Sequence, residues 1–179
     1  MSAVAAVTKL QFRILRRDPV FLIVMFGMPL AIMPLMRKTM GLSLAASGYP
    51  GADGAEQVVP GQMVLFGFFV AGATAFALFR EHGWRTWDRL RASPASPRSI
   101  LFGFAIPWTC VHAAYQTILL VAGGLAYGLR MNGGSPVALG MMVWSFAFSV
   151  VSIVLRVSAT ITTVNQLQAL VNICALVMG

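Results

Sequence analysis

The 179-residue chain carries 13 basic and 5 acidic side chains, 10% charged in all, while 58% of its residues are hydrophobic and its mean hydropathy is +0.80. Soluble domains hold roughly 25% charged residues, disorder needs low hydrophobicity with high net charge, and a disulfide-stapled scaffold needs more than two cysteines. All three classes are excluded, which leaves an all-α, polytopic membrane helix bundle.

Residues 3–17 read as an interfacial helix, with residues 1–18 assigned to it. Val4, Val7, Leu10 and Ile14 fall on one side, and Lys9, Arg13, Arg16 and Arg17 gather on the other. Four uncharged stretches then reach the length of about 20 residues that a membrane helix requires: Pro19 to Met36, Val58 to Phe79, Ile100 to Tyr127 and Val137 to Leu155. A fifth starts near Thr163 and runs to the last residue, Gly179, so a single transmembrane domain over 1–179 is expected, with four complete spans and a fifth cut short.

Asp18-Pro19, Ser96-Pro97 and Ser135-Pro136 each place a side-chain acceptor before a proline at the first helical position. Thr163-x-x-Gln166 is a capping box. Arg16-Arg17 ahead of an apolar run, with Ser43-Leu44-Ala45-Ala46 beyond it, also fits a twin-arginine signal peptide. Arg37-Lys38 directly after the run and the amphipathic lead before it favour an anchored first span.

The basic residues set the orientation. Segments 1–19, 80–99 and 156–163 share one side of the membrane and hold ten of them, against three in 37–57 and 128–136. The positive-inside rule makes the richer side cytoplasmic, N-terminus included. Charge so distributed speaks to topology, not to nucleic acid.

Between the second and third spans lies Arg80-Glu81-His82-Gly83-Trp84-Arg85-Thr86-Trp87-Asp88-Arg89-Leu90-Arg91-Ala92-Ser93-Pro94. On a helical wheel Trp84, Trp87 and Leu90 share one side and Arg85 and Arg89 another, which describes a short amphipathic helix at the inner interface. Residues 80–95 are assigned to this loop.

Within the spans, Thr109, His112 and Gln116 share a face of the third, Ser145, Ser149 and Ser152 a face of the fourth, and Asn165, Gln168 and Asn172 a face of the fifth. Two readings fit each face: a lining of the substrate path, or interhelical hydrogen bonding. His112 is the one titratable imidazole inside a span and has no intramembrane carboxylate beside it, which disfavours a proton relay. Cys110 and His112 diverge too far on a helix for a metal pair, and Cys110 and Cys174 read as small fillers. Gly67, Ala71 and Ala75 form a small-residue ridge suited to close helix contact, and Pro29 and Pro34 should bend the first span.

Glu81-x-Gly83, then Thr86-Trp87-Asp88-Arg89-Leu90-Arg91-Ala92-Ser93-Pro94, then Ile100-Leu101-x-Gly103 resembles the ATP-binding-cassette (ABC) type-2 permease family, above all its daunorubicin-exporter-like, drug-resistance branch. Arg17-Asp18-Pro19, Pro29 and Asn165-Gln166-x-Gln168-Ala169-x-x-Asn172 agree in order and distance. Two departures are Phe104, where relatives often carry lysine, and the absence of a re-entrant hairpin and sixth span.

The resemblance implies the membrane subunit of an exporter in the cytoplasmic membrane. Glu81, Gly83, Trp84, Thr86, Trp87, Asp88, Arg89, Leu90, Arg91, Ser93 and Pro94 would form its coupling helix against a separate ATPase subunit. A second permease protomer, identical or not, would complete the path for a hydrophobic drug-like or lipid-like substrate. No G-x-x-x-x-G-K-[ST] loop occurs in the chain, so ATP and Mg are expected on the partner and no cofactor or metal on this subunit. The competing readings are an ion-coupled secondary transporter or a membrane-embedded enzyme, which ordinarily place ionisable groups within the spans, and a purely structural subunit independent of nucleotide.

Overall fold

The computed structural model describes residues 2–83, 95–129 and 135–158, with positions 92, 160, 161, 163, 165–167, 169, 170, 172 and 173; of 81–83 only the backbone is described. Among these the regular structure is helical: α1 (Ala3–Arg17), α2 (Pro19–Ala46), α3 (Ala55–Gly83), α4 (Pro97–Tyr127) and α5 (Pro136–Ser158). Residues 165–167, 169, 170, 172 and 173 are helical as well. The last four elements are long and apolar enough to cross a membrane.

The starts follow the capping chemistry. Ser2 Oγ accepts from Ala5 N–H at 3.3 Å, the Asp18 carboxylate from Phe21 N–H at 3.1 Å, and Ser96 Oγ from Ser99 N–H at 3.2 Å. Each satisfies a donor that a helix N-terminus otherwise leaves bare. Thr163 Oγ1 accepts from Gln166 N–H at 3.3 Å, half of the expected capping box. At the other end of α4, Gly128 adopts the left-handed conformation (φ +68°) that lets the chain leave the helix.

One boundary differs from expectation. α2 continues ten residues past Met36, so Arg37 and Lys38 lie on a helix and not in a loop. Hydropathy marks where the hydrocarbon ends, whereas a helix ends only where its backbone bonds are interrupted, and nothing between Met36 and Ala46 interrupts them. At about 1.5 Å per residue its 28 residues span roughly 42 Å, well beyond a hydrocarbon core of about 30 Å. The returning chain folds back on this extension. Arg37 pairs with Asp53 at 2.9 Å, Asp53 Oδ1 accepts from Ala55 N–H at 2.8 Å, and the Arg37 guanidinium lies 5.9 Å from the centre of the Tyr127 ring.

α3 and α4 form the middle of the bundle, with 56% and 44% of their most apolar stretch buried; α2 and α5 stand at its edges with only 11% and 17%. Met33, Val59, Phe66, Tyr115 and Leu119 pack at the end away from α1, and Leu15, Leu78, Phe104, Trp108 and Val151 at the end beside it. The small-residue ridge behaves as expected: Ala71 and Ala75 admit Val154 and Leu167, and a Cβ on Gly67 would lie 3.3 Å from Gln116 Nε2. In lipid such packing, and not expulsion of water, holds helices together.

Two helix-internal prolines create docking points. A proline has no N–H, so it frees the carbonyl four residues before it. Pro34 frees Leu30, whose oxygen accepts a long bond from Tyr127 OH at 3.4 Å. Pro107 frees Gly103, whose oxygen accepts from Thr8 Oγ1 at 3.2 Å.

Candidate functional site

The first zone is where α1 meets α4. Gly103 presents bare backbone: a Cβ there would fall 2.6 Å from Val7 Cβ and 3.0 Å from Val4 O. Its carbonyl, released by Pro107, takes the Thr8 hydroxyl. Val7, Gln11 and Leu15 are the buried side of α1, which divides the apolar face expected from the sequence, because Leu10 and Phe12 remain 43% exposed. The helix therefore has a protein-facing stripe and a second apolar side free for the membrane interface, with Lys9, Arg13, Arg16 and Arg17 exposed around it. Phe104 is buried with Leu15 and Trp108.

The second zone is a polar seam between α3 and α4. His112 and Gln116 are fully buried in it, together with Gln62 and Thr74, which the sequence reading did not single out. Tyr115 OH donates to Gln62 O at 2.9 Å, and Gln116 Nε2 donates to Met63 O at 3.1 Å. Thr74 spends its hydroxyl hydrogen on Val70 O at 2.8 Å. In its 3.5 Å contact with His112 Nε2 the histidine is therefore the donor, which assigns the Nε2–H tautomer. His112 Nδ1, Gln62 Oε1 and Gln116 Oε1 stay buried without a partner. The seam thus offers three bare acceptors inside an otherwise apolar bundle.

The expected polar faces separate here. Thr109 and Cys110 look toward α5, lining a shallow groove with Ser145 and Trp144, while His112 turns to α3, so the thiol and imidazole diverge as expected. Ser149 is exposed on α5, and Ser145, also exposed, borders that groove. Asn165 and Asn172 are exposed, and Gln168 lies outside the described residues. Among the described residues no group of three or more His, Cys, Asp or Glu side chains converges as for a metal.

The third zone is the loop after α3. Glu81 and Gly83 belong to the last turn of α3 by backbone; Trp84, Thr86, Trp87, Asp88, Arg89, Leu90, Arg91, Ser93 and Pro94 lie outside the described residues.

With this arrangement in hand, a family model described as ABC-2 type transporter matches residues 2–178. The chain belongs to that family. It is a multi-pass membrane protein and the permease component of an ABC transporter, and membership implies an ABC ATPase as its associate. No curated protein and no solved structure matches the chain.

Gln62, Thr74, Tyr115 and the α1 dock of this permease were not found from sequence. The signal for the dock was present as Gly103-x-x-x-Pro107, a side-chain-free residue four positions before a proline inside a span. For the seam the signal was weaker: isolated polar residues in apolar runs, whose pairing across 38 or 53 positions no local pattern reveals.

Proposed function

We propose that this permease is the membrane half of an ATP-driven exporter moving hydrophobic drug-like or lipid-like substrates across the cytoplasmic membrane, with its N-terminus on the cytoplasmic side. Residues 81–94 act as the coupling helix: Trp84, Trp87 and Leu90 seat it, while Glu81, Asp88, Arg89 and Arg91 meet charged groups on the ATPase. Nucleotide and Mg belong to that partner, since the chain carries no phosphate loop of its own.

The observation that carries the reading is the family match across residues 2–178. The uncovered edges of the bundle support a second protomer: α2 and α5 are the least buried spans, and the exposed amides Asn165 and Asn172 lie on the outside of a single chain. A path between two protomers uses those faces, and Gln168 joins it by its spacing from them in the sequence. His112 and Gln116, sealed against α3, hold the wall of that path in shape, and Thr109 reaches it from the groove between α4 and α5.

Affinity purification from native membranes tests the proposal. It expects a stoichiometric partner bearing a phosphate loop, with ATP hydrolysis responsive to amphiphilic substrates. Reproducible recovery of the permease with no such partner, and transport indifferent to ATP, would return the field to ion-coupled or structural readings.

A further inference from the structure

α1 meets the bundle through Val7, Gln11 and Leu15, and these buried residues fix which way the rest of the helix faces. At about 3.6 residues per turn, Lys9, Arg13, Arg16 and Arg17 fall on the arc opposite that stripe, with Leu10 at one border and Phe12 at the other. All six are exposed. No carboxylate occurs in residues 1–17. Asp18, the next residue, accepts from Phe21 N–H at 3.1 Å as the cap of α2, and even counted against the strip it leaves a clear cationic excess. Asp53 pairs with Arg37 and Glu56 opens α3, both at the end of the bundle away from α1; the side chains of Glu81 and Asp88 lie outside the described residues. Among the described residues, none of the four α1 cations has an ion pair or a side-chain hydrogen bond. The strip runs directly into the first span, where Val20 and Ile23 are 68% and 69% exposed.

We propose that this outward face of α1 is a binding surface for anionic phospholipid. The occupant must neutralise several cations at once and also cover the apolar borders of the strip. A bilayer surface supplies both, with phosphate oxygens for Lys9, Arg13, Arg16 and Arg17 and the upper acyl chains for Leu10. Guanidinium groups suit phosphate in particular, because their planar fork of N–H donors matches its oxygens. An acidic protein surface offers the charge alone. Continuity points the same way, since α1 passes into a helix whose first exposed residues, Val20 and Ile23, are aliphatic, so the strip stands where that helix leaves the hydrocarbon. Charge then selects among lipids. A choline headgroup offsets its own phosphate, whereas a glycerol headgroup leaves the negative charge for the protein. Because Val7 and Thr8 close on Gly103 from the other side of α1, lipid that holds the strip also braces the dock on α4. This holds whatever the permease moves.

The test is native mass spectrometry of the full-length permease titrated with phosphatidylglycerol or phosphatidylcholine, with the thermal unfolding midpoint followed in parallel. The tightest-bound phosphatidylglycerol should exceed phosphatidylcholine about tenfold in affinity and raise the midpoint. A cation near an anionic surface contributes about fivefold in affinity. Arg13→Gln and Arg16→Gln should therefore each weaken phosphatidylglycerol about fivefold, and the double variant roughly 25-fold, with phosphatidylcholine unchanged. The double variant keeps a basic excess on its side of the membrane, so its orientation is preserved. Lys38→Gln, which removes an exposed cation from α2, should leave the tight binding intact. Equal binding of the two lipids by wild type, or undiminished phosphatidylglycerol binding by the double variant, overturns the proposal. So does full competition by soluble glycerophosphoglycerol, which would mean a free phosphodiester site. Loss of ATPase co-purification from the double variant, with its lipid preference intact, would assign the face to the partner protein and also overturn it. If the double variant fails to insert, the two single variants decide the question.

Discussion

Gly103 joins two properties that neither residue type supplies alone. Having no side chain it lets Val7 approach, and standing four residues before Pro107 it has a carbonyl to offer Thr8. Gly103→Val should therefore displace α1, at a cost of about 1 to 3 kcal/mol if the core resists overpacking, while Thr8→Val loses one hydrogen bond at constant shape and should cost less. Protease accessibility of residues 1–18 in membranes reads this directly: faster cleavage in Gly103→Val and little change in Thr8→Val. Equal protection in both would remove the dock. At the seam, Gln116→Leu deletes a bond to Met63 O of a kind typically worth about 0.6 kcal/mol between membrane helices. A small fall in unfolding midpoint with unchanged substrate preference is expected. Asn165→Leu and Asn172→Leu, exposed in the single chain, should instead alter resistance or substrate preference with insertion and ATPase association intact.

At the scale of elements, the fold-back of the 47–54 turn on α2 decides how topology can be probed. Gly54 has φ +81°, and a Cβ on it would meet Arg37 O at 2.6 Å, so cysteine at this position is strained. Gly51 has open space around it and suits the purpose. Gly51→Cys should be labelled from outside intact cells, and Ala92→Cys, in an exposed turn, only after permeabilisation; the reverse pattern inverts the bundle. The helices themselves were legible in the sequence because caps and hydropathy are local: Asp18 and Ser96 cap where acceptor and proline spacing said they would. The end of α2 was not, because charge at Arg37 marks the membrane surface and not the end of a helix. The division of the α1 apolar face was also hidden, since Leu10 and Val7 are equivalent by hydropathy and are told apart only by Gly103 on another helix. Of the candidate site, His112 and Gln116 were visible as polar residues in an apolar run, but their partners on α3 required the fold.

The whole molecule is a two-helix centre with two exposed edges. α3 and α4 are stitched by hydrogen bonds and small residues, whereas α2 and α5 present long apolar surfaces. That asymmetry suits the proposed meeting with lipid and a second protomer, and the proposed coupling helix follows directly on the stitched pair. The central claim is that residues 81–94 couple this membrane subunit to its ATPase. Truncating a buried tryptophan at an interface can cost about 2 kcal/mol, roughly thirtyfold in affinity, and more than removing one charge from a rim. The decisive measurement compares Trp87→Ala with Arg98→Ala in the full-length permease, scoring membrane insertion, ATPase co-purification and substrate-stimulated hydrolysis. Arg98, exposed in the first turn of α4, removes a positive charge from the same side and serves as the control for topology. Trp87→Ala should insert normally and lose ATPase association about thirtyfold, with Arg98→Ala close to wild type; undiminished association and hydrolysis in Trp87→Ala and in the Trp84, Trp87 double alanine variant would contradict the coupling assignment.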